Sequence, residues 1–139
     1  MTQLHPYLIF NGNCYEAMNF YQQCLEGETT FQTMENILIE ANIPETINIQ
    51  IRHSTLIKGS ILLMASDAQK DSCFMVGNNM AISINCTYAE EMNNFFTKLS
   101  EGGKILEAIS TKIRGVFSGS LTDKFGINWL FNFVETHPG

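Results

Sequence analysis

Residues 5–27 read HPYLIFNGNCYEAMNFYQQCLEG, and residues 80–103 read MAISINCTYAEEMNNFFTKLSEGG. The first string opens on a short apolar run, His5 to Phe10. Asn11-Gly12-Asn13 interrupts it, and the spacing then changes from the period of a strand to that of a helix. Ala17, Phe20, Tyr21, Cys24 and Leu25 recur three and four apart, Asn13 is placed to cap, Glu16 follows three residues on, and Gly27 marks the stop. This predicts a strand and an amphipathic helix of about three turns. The second string repeats the order: Met80 to Cys86 as strand, Thr87 and Glu90 as a T-x-x-E capping box, Met92, Phe95, Phe96 and Leu99 on one helical face, and Gly102-Gly103 at the stop.

Outward from each helix lies β-like sequence: Thr29 to Met34 and Ile47 to Ala65 in the first half, Lys104 to Ile109 and Val116 to Val134 in the second. Turn signals at Lys58-Gly59 and at Asp123-Lys124-Phe125-Gly126 split the longer stretches. Each half therefore reads βαβββ. The expected fold class is α+β: one domain over 1–139 made of two tandem βαβββ modules, about 1–67 and 79–135, forming a cleft-bearing curved sheet. Asp67 to Asn78 serve as the polar connector. A single ferredoxin-like sandwich with extra strands is the competing topology, and the repeat favours the paired modules. Residues 35–45, where Ile37, Leu38 and Ile39 adjoin and Pro44 interrupts, read as a plain loop, with a flap beside the cleft as the alternative.

The 139 residues carry a formal charge of -6, with 45% hydrophobic and 16% charged side chains. That composition supports a packed core and argues against a phosphate-backbone partner, so no nucleic acid is expected. Cys14, Cys24, Cys73 and Cys86 form no CxxC pair and read as reduced thiols, mostly buried, of a cytoplasmic protein. No secretory leader or membrane-length apolar run is read, and no membrane partner is expected.

Alternation along strands assigns faces. Pro6, Leu8 and Phe10 are expected against the first helix, with His5, Tyr7 and Ile9 toward the cleft. Met80, Ile82, Ile84 and Cys86 are expected against the second, leaving Ala81, Ser83 and Asn85 on the cleft side. In the last strand Trp129, Phe131 and Phe133 oppose Asn128, Leu130 and Asn132, a mixed polar and apolar set suited to a ligand. In the third strand Ile47, Ile49, Ile51, His53, Thr55 and Ile57 fall on one apolar face, so His53 is read as a core or pocket-edge histidine.

His5, at a strand start, has the chemistry to ligate a metal, act as a base or hydrogen-bond a ligand, and is equally readable as a surface histidine. His137 in the Thr-His-Pro-Gly tail reads as solvated. No HExxH, G-x-S-x-G, Walker loop or G-x-G-x-x-G occurs. Gly115, Gly119 and Gly126 are spaced for turns and bulges, and Arg114 and Lys124 read as surface charge. Phe117 and Trp129 are aromatic surfaces on which a planar ligand could stack, although the aromatic set as a whole reads as core.

The order and spacing of Pro6-Tyr7-Leu8, Phe10-Asn11-Gly12-Asn13, Glu16-Ala17, Phe20-Tyr21, Ser100-Glu101-Gly102-Gly103 and Thr122-Asp123-Lys124-Phe125-Gly126-Ile127-Asn128-Trp129 resemble the PhnB-like branch of the glyoxalase/bleomycin-resistance/extradiol dioxygenase (vicinal oxygen chelate) superfamily. The resemblance implies paired βαβββ modules, a homodimer, and a U-shaped cleft in which metal-dependent members hold a divalent ion by His and Glu. By position those ligands fall on His5, about Ala81, about Leu130, and Leu62 or Met64. Only His5 suits such an ion, and a catalytic site normally needs about three protein ligands, so no metal or other cofactor is expected. Some PhnB-like sequences carry the name of a ubiquinone-pathway methyltransferase, but no glycine-rich nucleotide loop follows the first strand here.

The expected function is binding of a small organic molecule of unknown identity by a cytoplasmic homodimer, with His5, Tyr7, His53, Ser83, Asn85, Phe117, Asn128, Leu130 and Asn132 as ligand-binding candidates. The alternative is a superfamily enzyme of lyase, transferase or dioxygenase type, with a metal site relocated to His5 and His53 or with metal-free acid/base catalysis. A structural or regulatory protein partner is the third reading.

Overall fold

Two strings of alternating apolar residues become two parallel strand pairs, and each is closed by a hairpin that brings the chain back to its start. The computed structural model describes residues 1–35, 37–40, 49–69 and 73–135. They form two units, Met1–Met75 and Val76–Gly139. The first runs β1 (Tyr7–Phe10), α1 (Cys14–Leu25), β2 (Glu28–Thr33), β3 (Leu38–Ile39), β4 (Ile51–Lys58) and β5 (Ile61–Asp67). The second runs β6 (Ile82–Cys86), α2 (Ala89–Leu99), β7 (Lys104–Ile113), β8 (Val116–Thr122) and β9 (Asn128–Val134). Strand orders are β1-β5-β4-β2-β3 and β6-β9-β8-β7. With β3 set aside the two orders are the same, so each unit is a βαβββ module of an α+β fold. None of the described helices is long and apolar enough to cross a membrane.

Each helix packs its apolar stripe on one face of its sheet. In the first unit Cys14, Ala17, Met18, Phe20, Tyr21, Cys24 and Leu25 of α1 are buried, as are Phe10, Phe31, Ile51, Leu56, Leu63 and Ala65 of the strands. In the second, Met92, Phe95, Phe96 and Leu99 are buried with Cys86, Leu121, Trp129 and Phe131, and Phe96 meets Phe131 edge-on at 5.3 Å between ring centroids. Each large apolar side chain so buried contributes roughly 1.5–3 kcal/mol relative to exposure.

The helix ends differ from the sequence reading. Asn13 makes no side-chain cap bond. The Asp67 carboxylate accepts from Cys14 N–H instead, at 2.9 Å, and from Ile51 N–H, at 2.8 Å. Asp67 is therefore the buried last residue of β5 and an anchor for α1, not part of a polar connector. At α2 the N-cap is Tyr88, again without a side-chain cap bond, so the Thr87–Glu90 box is not formed as read. The stops move as well. Glu26 closes α1 in the left-handed region, φ 59°, and Ser100 closes α2.

Gly27 and Gly103 have a different duty. They stand immediately before β2 and β7 at equivalent places, where the chain presses on the strand beside it. A Cβ on Gly27 would meet the Ile57 carbonyl oxygen at 2.8 Å, and one on Gly103 would collide with the Thr122 carbonyl oxygen.

Three more readings shift. Within residues 35–45, Leu38–Ile39 form a short strand on β2, while Asn36 and residues 41–45 lie outside the described residues. Ile47 and Asn48, read as the start of the third strand, also lie outside them, as does His137. Met80 precedes β6 and is exposed rather than packed on a helix.

Candidate functional site

The face of each sheet opposite its helix carries the hydrogen-bonding side chains. In the first unit, β1 presents Tyr7 and Ile9, at 45% and 55% exposure, and β4 presents His53, Thr55 and Ile57. Register places β5 between them, since Tyr7 pairs with Met64 and Met64 with Thr55. The expected phase of β4 breaks at Arg52. Gln32 pairs with His53 but Thr33 with Ile51, so Arg52 is a bulged extra residue. Ile51 is buried, as are Ser54 and Leu56 beyond the bulge, and His53, Thr55 and Ile57 turn to the opposite face. His53 is thereby moved from the expected apolar core face to the open one.

There it meets Tyr7. The phenol oxygen lies 3.3 Å from His53 Nδ1, and the rings stack with centroids 5.9 Å apart and planes 30° from parallel. Thr30 and Thr55 hydroxyls bond at 2.6 Å beside them. His5 does not join the pair in any described contact; its Nε2 is 3.1 Å from Gln3 Oε1.

The open face of the second unit is built from amides and hydroxyls. Asn132 Nδ2 donates to Ser83 Oγ at 3.2 Å and to Asn85 Oδ1 at 3.3 Å. At the other end of β9, Thr122 Oγ1 donates to Asn128 Oδ1 at 2.6 Å, and Asn128 Nδ2 donates to the Met80 carbonyl at 3.1 Å. Leu130, 44% exposed, stands between the two asparagines. The structure thus brings Ser83, Asn85, Asn128, Leu130 and Asn132 onto one face. Phe117 is not among them. It pairs with Phe133, at 6.0 Å between centroids, and shares its side of the sheet with buried Leu121 and Trp129. Its matching parity with Leu121 was a sufficient signal. Trp129 is likewise buried and offers no open stacking surface in this unit.

Two buried carboxylates escaped the sequence reading. Burial raises the Asp67 carboxyl above its ordinary value, against the lowering effect of N–H groups from Ile51, Cys14 and Gly12. Burial, and then the Asp67 charge, push the Cys14 thiol far up, while burial and then Glu91 bring Cys86 to about 11. In the second unit Asp123 accepts from Phe125 and Ile127 N–H at 2.8 and 3.0 Å and from the Trp129 indole N–H at 2.8 Å. The Asp123 turn was legible, but its tie to Trp129 required knowing that the indole lies under it.

Among the described residues no three His, Cys, Asp or Glu side chains converge as a metal site. Ala81, Leu130 and Leu62 carry no ligand atom, and Met64 carries only a thioether. These positions do not fit a hard divalent ion.

A family model described as 3-demethylubiquinone-9 3-methyltransferase matches residues 2–131. The chain belongs to this PhnB-like family. Protein PA1353 from Pseudomonas aeruginosa is 31% identical, with 98% of this chain and 100% of that one covered and a TM-score of 0.83. YjdN of Escherichia coli K12 is 28% identical over 97% of each chain. A Bacillus cereus PhnB protein, titled a putative 3-demethylubiquinone-9 3-methyltransferase, is 25% identical, covering 96% of this chain and 100% of that one at a TM-score of 0.70. The fosfomycin resistance protein FosX from Mesorhizobium loti is 9% identical, covers 95% and 91%, and has a TM-score of 0.59, a likeness of fold. The PhnB-like chain thus shares the glyoxalase/vicinal oxygen chelate fold.

Proposed function

We propose that this PhnB-like chain binds a small organic molecule on its open strand faces, as a cytoplasmic homodimer. Tyr7 and His53 supply the contacts in the first unit; Ser83, Asn85, Asn128, Leu130 and Asn132 supply them in the second. The carrying observation is that polar groups on both faces are already held by one another, Tyr7 by His53 and Asn132 by Ser83 and Asn85, beside half-exposed Ile9, Ile57 and Leu130. A few ordered polar groups on an apolar ground are what small-molecule recognition uses, because their entropy cost is met before the ligand arrives.

A relative in fold carries the name of a fosfomycin resistance protein, which places antibiotics first in a screen, and the stacked Tyr7–His53 rings add planar aromatic compounds to it. A ligand specific for the native state raises its apparent stability, so such a screen by thermal shift is expected to yield a compound whose effect is lost in Asn132→Ala or Tyr7→Phe. No stabilisation by any antibiotic-like or aromatic compound would contradict the proposal. Catalysis is the second reading, favoured by the Tyr7–His53 contact.

A further inference from the structure

We infer that the open face of the second unit reads the acceptor–donor–acceptor edge of a cyclic imide, with Ser83 and Asn85 as donors and Asn132 as the acceptor; this rests on the reading of that face as a ligand-binding one. Asn85 of β6 and Asn132 of β9 are partners in the parallel register, and Ser83 stands beside Leu130. Asn132 Nδ2 donates to Ser83 Oγ at 3.2 Å and to Asn85 Oδ1 at 3.3 Å, so both of its protons are used. A hydroxyl that accepts keeps its own O–H to give, and an amide that accepts through its oxygen keeps both Nδ2 protons. The network therefore leaves two donors on β6, Ser83 O–H and Asn85 Nδ2, and one acceptor on β9, Asn132 Oδ1. Among the described residues these three side chains make no other hydrogen bond.

A ligand that meets this set offers C=O, N–H and C=O in that order along one edge. A ring enforces that order, because an open-chain secondary amide is trans and turns its N–H and C=O opposite ways. Ser83 and Asn85 are two residues apart on one strand, about 6.6 Å between Cα atoms, so their donors can converge on two carbonyls that flank a single N–H.

The surroundings ask for an uncharged ligand with an apolar body. β6, β8 and β9 contain no Asp, Glu, Lys, Arg or His. Asn85, Asn132, Ser118 and Ser110 lie in one row across the four strands, and none is charged. The charged residues of the strands are all on β7: Lys104 beside Thr122, Glu107 beside Ser120, and Lys112. Arg114 stands in the turn from β7 to β8, Asp123 and Lys124 in the turn from β8 to β9, and Glu135 after β9. The charges of α2 belong to the helix side of the sheet. A carboxylate ligand thus meets no cation in the row, whereas a neutral imide meets a partner for each of its three groups. Leu130 and Val134, 44% and 58% exposed, share Asn132's side of β9 and flank it, which gives the ring an apolar ground.

The test titrates the isotope-labelled full chain with phthalimide at mildly acidic pH, where that compound is uncharged, and follows side-chain amide signals by NMR. Two compounds with the same ring frame run beside it: N-methylphthalimide, whose donor is blocked, and benzimidazolone, which carries the reverse order, N–H, C=O, N–H. Phthalimide is expected to shift the Asn85 and Asn132 amides and to bind at least about tenfold more tightly than either, the cost of leaving hydrogen-bonding groups unmatched. Asn85→Asp, which turns a donor into an acceptor, and Asn132→Ala should each bring phthalimide down to the level of its N-methyl derivative, with circular dichroism checking that both variants are folded. Equal or tighter binding of benzimidazolone or N-methylphthalimide would overturn the imide reading and leave ligand binding on this face standing. So would the absence of a phthalimide shift at residues that another compound from the thermal-shift screen does move. No shift at these residues with any compound would overturn both.

Discussion

In the first unit a buried carboxylate at the end of β5 reaches across the chain, and in the second a buried carboxylate in the turn between β8 and β9 bonds groups close to it in sequence. Asp67 joins the end of β5 to Cys14, 53 residues earlier in sequence, and to Ile51. Asp123 joins Phe125, Ile127 and Trp129, all within six residues. One topology is thus secured by a non-local tie in one copy and by a hairpin turn in the other. The open faces diverge in the same way, toward an aromatic pair in the first unit and an amide network in the second.

Removing either carboxylate tests this contrast with the largest expected effect. A buried donor left unpaired costs about 1–3 kcal/mol, so Asp67→Ala and Asp123→Ala should each lose roughly 3 kcal/mol or more in urea unfolding. Asp123→Ala should also change Trp129 emission, because its indole N–H loses its partner, whereas Asp67→Ala should leave native Trp129 emission unaltered. The Asp67 carboxyl is raised in the folded state, so the native chain binds its proton more tightly than the unfolded one. The stability that protonation contributes is complete below the ordinary value of 3.8 and is lost as pH rises through the folded value. The stability of wild type relative to Asp67→Asn should therefore fall as pH rises across that window.

The shared glycines test what the units have in common. Gly27→Ala and Gly103→Ala each force a methyl group toward a backbone carbonyl and should cost about 1–3 kcal/mol, with Gly103→Ala the larger since its clash is tighter. Tolerance of the methyl group at one position and not at the other would break the equivalence of these crossings. The thiols give the smallest effect. Cys73 is exposed, while Cys14, Cys24 and Cys86 are buried. A disulfide reagent at mildly alkaline pH should label Cys73 first, then Cys86, at 9% exposure, ahead of Cys14, at 0%. Mass spectrometry of peptides reads that order.

The βαβββ order was legible because it depends on local periods: Ala17 to Leu25 and Met92 to Leu99 repeat at helical spacing between alternating strands. The placement of Asn128, Leu130 and Asn132 on one face followed from the same alternation. His53 was misplaced because the bulge at Arg52 is a property of pairing with β2, which no window of β4 contains. The helix caps failed for a like reason, since the group that bonds Cys14 N–H comes from the far end of the unit. Phe117 was a different kind of miss, because its parity with Leu121 already put it on the helix side.

Ligand binding on the open faces is tested most directly by an amide and side-chain NMR titration of the full chain with a compound that raises its melting temperature. The account predicts shifts concentrated at Tyr7 and His53 or at Ser83, Asn85, Leu130 and Asn132, with Phe117 and the core residues of α1 and α2 unmoved. Shifts centred on the helix sides of the sheets, with those open-face residues unchanged, would contradict it.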